Sequence, residues 1–114
     1  MQRNILKHIN AELSEGRPAV LVTVLNTTGS TPRKGGSQML VRQSGNITGT
    51  IGGGSAEAKA IAEAGKAFQT ASSAVHHFSM TNSVAAKDGM ACGGDMDVFI
   101  HYIPSPNEDV GSEL

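Results

Sequence analysis

Apolar residues along the chain fall into two helical stripes and five strand-like runs. Ile5, Ile9 and Leu13 recur every four residues, with Leu6 beside them, which marks one face of a helix that ends near Gly16, its expected C-terminal cap. After Pro18 the segment Ala19 to Leu25, AVLVTVL, is β-branched and lacks polar alternation, the pattern of a strand buried on both faces and the expected centre of a sheet. Ser37 to Gln43 and Asn46 to Ile51 read as the two strands of a hairpin turning at Ser44-Gly45. The alanine-rich stretch from Ser55 to about Phe68, SAEAKAIAEAGKAF, favours a second helix whose apolar face is Ala60, Ile61, Ala64, Ala67 and Phe68. Two further strands follow. One runs from Val75 to Met80, where His77 and Ser79 alternate with Phe78 and Met80, and the other from Met96 to Ile103, where Met96, Val98 and Ile100 share a face.

This order predicts an α/β fold: a single compact domain with a mixed β-sheet of about five strands covered by two main helices, and with loops gathered at the strand ends. A chain of 114 residues supports one modest core. The domain is expected over residues 1–104. The stretch 105–114 is polar, acidic and proline-marked, and reads as a flexible tail or the stub of a linker.

Composition adds an emphasis on backbone shape. Hydrophobic residues make up 39% and charged residues 17%, as in a folded globule, and fourteen glycines accompany one tyrosine, three phenylalanines and no tryptophan. Such a balance points to loops that work through main-chain groups. Net charge is −1 and the nine Lys and Arg are scattered, which argues against nucleic acid as a partner. Neither a secretory leader nor a run of about eighteen apolar residues is present, so the expected location is cytoplasmic, without a membrane. One cysteine forms no internal disulfide, in keeping with a reducing compartment.

Three glycine-rich stretches carry candidate chemistry. Thr27 to Gly36 combines Ser30 and Thr31 hydroxyls, the Arg33 and Lys34 cations and three glycines, donors suited to an anion; the plain alternative is a polar turn. Gly52-Gly53-Gly54 stands between a strand and a helix starting at Ser55, where unpaired N–H groups and the helix dipole can seat a phosphate or an oxyanion. It is neither the dinucleotide fingerprint nor a P-loop, and in a purely structural reading Gly54 or Ser55 caps the helix. Glu57 precedes Ile61, Ala64 and Phe68 by four, seven and eleven residues and is expected to face inward, accepting hydrogen bonds from loop N–H groups or from Arg33 as a brace rather than a general base. In Asp88 to Asp95, Cys92 is flanked by glycines, which favours an exposed thiol able to attack an electrophile, carry sulfur or ligate a thiophilic metal such as molybdenum. His76 and His77 point to opposite faces of a strand, so at most one can reach that thiol, and surface roles suit both.

Gly29-Ser30-Thr31-Pro32-Arg33, Gly49-Thr50-Ile51-Gly52-Gly53-Gly54 with Glu57 three residues on, and Met90-Ala91-Cys92-Gly93-Gly94, in this order, resemble the N-terminal domain of the XdhC/CoxI family. Its members are accessory proteins for maturation of molybdenum hydroxylases. The resemblance implies a chaperone rather than an enzyme, one that binds molybdenum cofactor (molybdopterin) in transit and hands it to a hydroxylase apo-enzyme of the xanthine dehydrogenase or carbon monoxide dehydrogenase type. Sulfuration of the metal by a cysteine desulfurase often precedes the transfer. It further implies Cys92 near the metal or its dithiolene, as a possible molybdenum ligand. Gly93, Gly94, Ser30, Arg33, Gly52, Gly53, Gly54, Ser55 and Glu57 would line the cofactor site. Full-length members carry a C-terminal Rossmann-like domain that is absent from this stretch of sequence, and some have cysteine where this chain has Ser55. A half-length chain is therefore expected to pair with a partner or to form a homodimer. Two readings from other classes stand beside this one: a small enzyme with Cys92 as nucleophile and His76 or His77 as base, and a non-catalytic oligomerisation module.

Overall fold

A computed structural model describes residues 3–27, 36–79 and 95–107. The elements are α1 (Arg3–Ser14), β1 (Ala19–Thr27), β2 (Gln38–Arg42), β3 (Ile47–Gly49), α2 (Gly54–Thr70), β4 (Ala74–Ser79) and β5 (Asp95–Ile103). The five strands form one sheet in the order β3-β2-β1-β5-β4, with β1 at its centre as the unbroken apolar run predicts.

Every pairing in the sheet is antiparallel, where a mixed sheet was expected. The reason lies in the path of the chain. After β3, helix α2 carries the chain back across the sheet, so β4 runs in the same direction as β1; β5 then returns between them and separates the two co-directional strands. The fully apolar start of β1 is explained by cover on both faces, not by parallel neighbours. Ala19, Val20, Leu21 and Val22 are all buried, with Ala19 and Leu21 under α1 and Val20 and Val22 under α2.

The larger core lies between α2 and the sheet and includes Val20, Val22, Val24, Met39, Val41, Met96, Val98 and Ile100. Ala56, Ala60, Ala64 and Ala67 turn toward it from α2, and these small side chains let the helix backbone approach the strands closely. Ile61, expected on the apolar face, instead stays 39% exposed because the buried side of the helix runs along Ala56, Ala60, Ala64 and Ala67, while Phe68 packs edge-to-face on Tyr102. On the other face, α1 lays Ile5 and Ile9 over Ala19, Leu21 and Leu40, a patch too narrow to include Leu6, which remains exposed.

Local signals are kept where the backbone demands them. Helix α1 ends in a Schellman motif: the Gly16 N–H donates to the Leu13 carbonyl at 3.0 Å and the Arg17 N–H to the Glu12 carbonyl at 2.9 Å, with Gly16 left-handed at φ 78°. The expected hairpin forms, but its second strand covers only Ile47–Gly49 rather than Asn46 to Ile51. A Cβ at Gly49, whose φ is +87°, would stand 2.7 Å from the Gln38 carbonyl oxygen, so this position accepts glycine alone.

Candidate functional site

The antiparallel order gathers the ends of β1, β3 and β4, and the starts of β2, β5 and α2, at one end of the sheet. The register fixes this: Thr27 lies opposite Met96, Met39 opposite Gly49 and Ser79 opposite Asp95. Gly36 and Ser37 close on Val24 through the Gly36 N–H to Val24 O bond of 2.7 Å and the Val24 N–H to Ser37 O bond of 2.9 Å. The three glycine-rich stretches singled out in the sequence therefore join the fold at a common end. Ser30, Arg33, Cys92, Gly93 and Gly94 themselves lie outside the described residues, as does Met80, and Gly52, Gly53, Gly54, Ser55 and Glu57 lie within them.

The glycine turn is a run of positive φ angles, 130° at Gly52, 76° at Gly53 and 59° at Gly54, hung on the fully buried Ile51. The N-cap of α2 is Gly53, in a region of backbone space open essentially to glycine, and neither Gly54 nor Ser55 supplies a capping hydroxyl. Glu57 takes over that task from the first turn. Its Oε2 accepts the Gly53 N–H at 2.8 Å and the Thr50 hydroxyl, whose oxygen in turn accepts the Gly52 N–H at 3.1 Å. The expected brace is present, with the Gly53 N–H as its loop donor and the Thr50 hydroxyl as a partner that the spacing alone did not assign, while Arg33, the other expected donor, lies outside the described residues. A threonine seven residues before a first-turn glutamate, across a glycine turn, is the signal that identifies it. The carboxylate also sits at the positive end of the helix, so this N-terminus already holds one anion of its own.

A second polar group stands at the same end, on the face of the sheet away from α2. His77 lies opposite Asp97 across the β4–β5 ladder. Its Nδ1 is 2.7 Å from Asp97 Oδ1, and its Nε2 is 3.2 Å from Asp95 Oδ2. Asn26 Nδ2 donates to the other Asp97 oxygen at 3.5 Å. A shift of register between Val24 and Asn26 sets this up: without the extra residue, Leu25 rather than Asn26 would face Asp97. The hydrogen bond accepted from His77 holds the Asp97 carboxyl below its ordinary range. His76 points the other way, with Nε2 3.5 Å from Glu63 of α2 and its ring stacked on Phe78. The two histidines do take opposite faces. Asp95 and Asp97, spaced two apart on a strand, were the unread sign that one face would collect two carboxylates.

The class of fold is defined first by likeness to a solved structure. The chain superposes on a xanthine dehydrogenase crystal structure from Bacillus halodurans with a TM-score of 0.67 at 21% identity, over 85% of this chain and 30% of that one, a likeness of fold. The XdhC and CoxI family pattern matches residues 12–79, more than half of the sequence, and the chain belongs to that family. Two relatives come from Escherichia coli (strain K12). YqeB is 43% identical over 83 residues, 73% of this chain and 15% of its own length. PaoD, named a molybdenum cofactor insertion chaperone, is 42% identical over 62 residues, 54% of this chain and 20% of its own. The chain thus spans a fifth or less of these relatives. Two of the three glycine-rich stretches fall inside residues 12–79, and the Cys92 stretch lies beyond them.

Proposed function

We propose that the chain is the cofactor-contacting unit of a maturation factor for molybdenum hydroxylases. It binds molybdenum cofactor in transit and delivers it to an apo-enzyme of the xanthine dehydrogenase or carbon monoxide dehydrogenase type, with a cysteine desulfurase as a further partner. The observation that carries this reading is topological: the flanks of all three motif stretches meet at one end of the sheet. Family membership and the name of the relative PaoD support it.

The donor set at the described part of this end fits an anionic cargo. The Gly52 and Gly53 N–H groups already serve Thr50 and Glu57, whereas the first-turn N–H groups of α2 that follow have no intrahelical acceptor, Gly54 sets no side chain in front of them, and Ser55 adds a half-buried hydroxyl. Glu57 holds the turn in shape. Ser30 and Arg33 belong with the phosphate and pterin, and Cys92, with Gly93 and Gly94 allowing close approach, belongs with the metal or its dithiolene as a soft sulfur. Residues 1–104 form the unit and 105–114 a tail, working in the cytoplasm. Enclosing the cargo takes a second wall, from a partner chain or from a second copy in a homodimer. Among the described residues no helix is long and apolar enough to cross a membrane. The cysteine-enzyme reading gains nothing from the histidines, since both ring nitrogens of His77 face carboxylates and His76 faces Glu63.

The test mixes purified protein with cofactor released from a molybdenum enzyme and follows co-elution on gel filtration by pterin fluorescence after oxidation. Wild type retains the pterin and Cys92→Ser retains less. Absence of retention by both proteins overturns the proposal.

A further inference from the structure

The His77 cluster has a valence problem that only one protonation state solves. Carboxylates are acceptors only, and a neutral imidazole carries a single N–H, so it can satisfy one of Asp95 and Asp97 while turning a lone pair toward the other. With one ring nitrogen 2.7 Å from Asp97 and the other 3.2 Å from Asp95, the arrangement is complete when both nitrogens are protonated. The two nitrogens face different carboxylates, so this is not the convergent donor set of a metal site, and no such set occurs among the described residues.

We infer that His77, as an imidazolium, is a proton-dependent clasp that ties the ends of β4 and β5 to each other, and through Asp97 and Asn26 to the end of β1, and that it releases them when it loses its proton. The strands joined are those whose ends adjoin, in sequence, the stretches containing Arg33 and Cys92. The clasp is independent of what those stretches bind. Among the described residues, Asp95 and Asp97 are the titratable groups that face the ring: α1 packs on β1 and β2, and α2 covers the opposite face of the sheet.

Hydrogen bonds donated to Asp97 first and Asp95 second hold the His77 pKa above its ordinary value of 6.5, against a smaller opposing effect of burial. A raised folded-state pKa means that the clasp is fully closed below 6.5 and opens as pH rises through the folded value. The side chain is 58% exposed, so solvent and salt weaken the effect, which belongs to the strand ends and not to global stability.

The experiment is an NMR titration of the His77 ring in the full chain, together with amide hydrogen exchange at Met96 and Asp97 referenced to Ile100 and Tyr102. Asp97→Asn is expected to lower the His77 pKa most and Asp95→Asn less. After correction for intrinsic exchange, protection at Met96 and Asp97 should fall about threefold from pH about 6 to about 8.5, and His77→Gln should abolish that dependence. If the variants do not fold, the wild-type His77 pKa must still fall as salt rises. A His77 pKa unmoved by either asparagine, or by salt, overturns the clasp, as does an exchange profile that His77→Gln leaves unchanged.

Discussion

The two ends of this sheet are held together in different ways. At the end where β1 begins, the Glu12 side chain is buried, with 8% of the residue exposed, and it receives Arg17 Nε at 3.0 Å and Arg17 Nη2 at 3.1 Å, with Arg42 Nε 3.9 Å away. This is a forked pair on a carboxylate that would cost several kcal/mol to bury alone, fixed in place by the Schellman turn and by Arg42 donating to Thr48 at 2.7 Å. At the other end the devices are a carboxylate on a glycine turn and a histidine between two aspartates. Arginine does not titrate in the range where proteins fold, whereas histidine does. One end is held by an arginine fork, and the other by a carboxylate on backbone N–H groups and by a titratable ring.

Breaking the comparison by substitution gives effects of graded size. Gly49→Ala is expected to cost about 2–4 kcal/mol in urea denaturation, because it combines a forbidden φ with a backbone collision, while Gly45→Ala at the open turn of the opposite end costs about 1 kcal/mol. A similar loss for both would show that the Gln38 wall is not rigid. Glu12→Ala, which removes the acceptor of the Arg17 fork and the counter-charge of Arg42, should cost about 1–3 kcal/mol at neutral pH. The hydrogen bond from Arg17, followed by the charges of Arg17, Arg42 and His8, holds the Glu12 pKa below 4.5 despite burial. Its contribution is therefore complete above 4.5 and lost as pH falls through the folded value, so the penalty of Glu12→Ala should shrink in acid. Glu57→Ala removes the acceptor of the Gly53 N–H and is expected to cost about 1–2 kcal/mol, read by thermal denaturation, together with weaker retention of the cofactor pterin. The smallest effect is a gain. Ala71 caps α2 with φ 52°, and Ala71→Gly should stabilise the arginine-fork end by about 0.5–1 kcal/mol.

Much of the architecture is legible in the sequence because it follows from local periodicity. The Ile5–Ile9 stripe, the turn at Gly45, the helix after Gly53 and the β5 alternation of Met96, Val98 and Ile100 all appear where the pattern puts them. Leu6 and Ile61 mark the limit of such reasoning. A helical stripe defines an angle, but the width of the surface it meets decides which flanking side chains are covered, and both residues fall beyond the edge. Strand direction escaped in the same way. A run buried on both faces is compatible with a parallel sheet and with an antiparallel one capped by two helices, and the crossover through α2 selected the second. At the candidate site, the Glu57 brace is readable from its position on the helix. Thr50 and the Asn26–Asp97–His77 chain depend on register, and in particular on one extra residue near Leu25.

The sequence by itself determined the elements, the central place of Ala19 to Leu25, the bracing carboxylate of Glu57 and the two glycine-rich stretches that lie within the family match. These are properties of spacing and residue type over a few positions, and they survive any arrangement of the parts. Only the tertiary structure decided that the stretches join the fold at one end, that the sheet is wholly antiparallel, and that His77 meets two carboxylates while Glu12 meets two arginines. The contacts of the His77 cluster join residues 18 to 71 positions apart, and their geometry exists only once β5 has been inserted between β1 and β4.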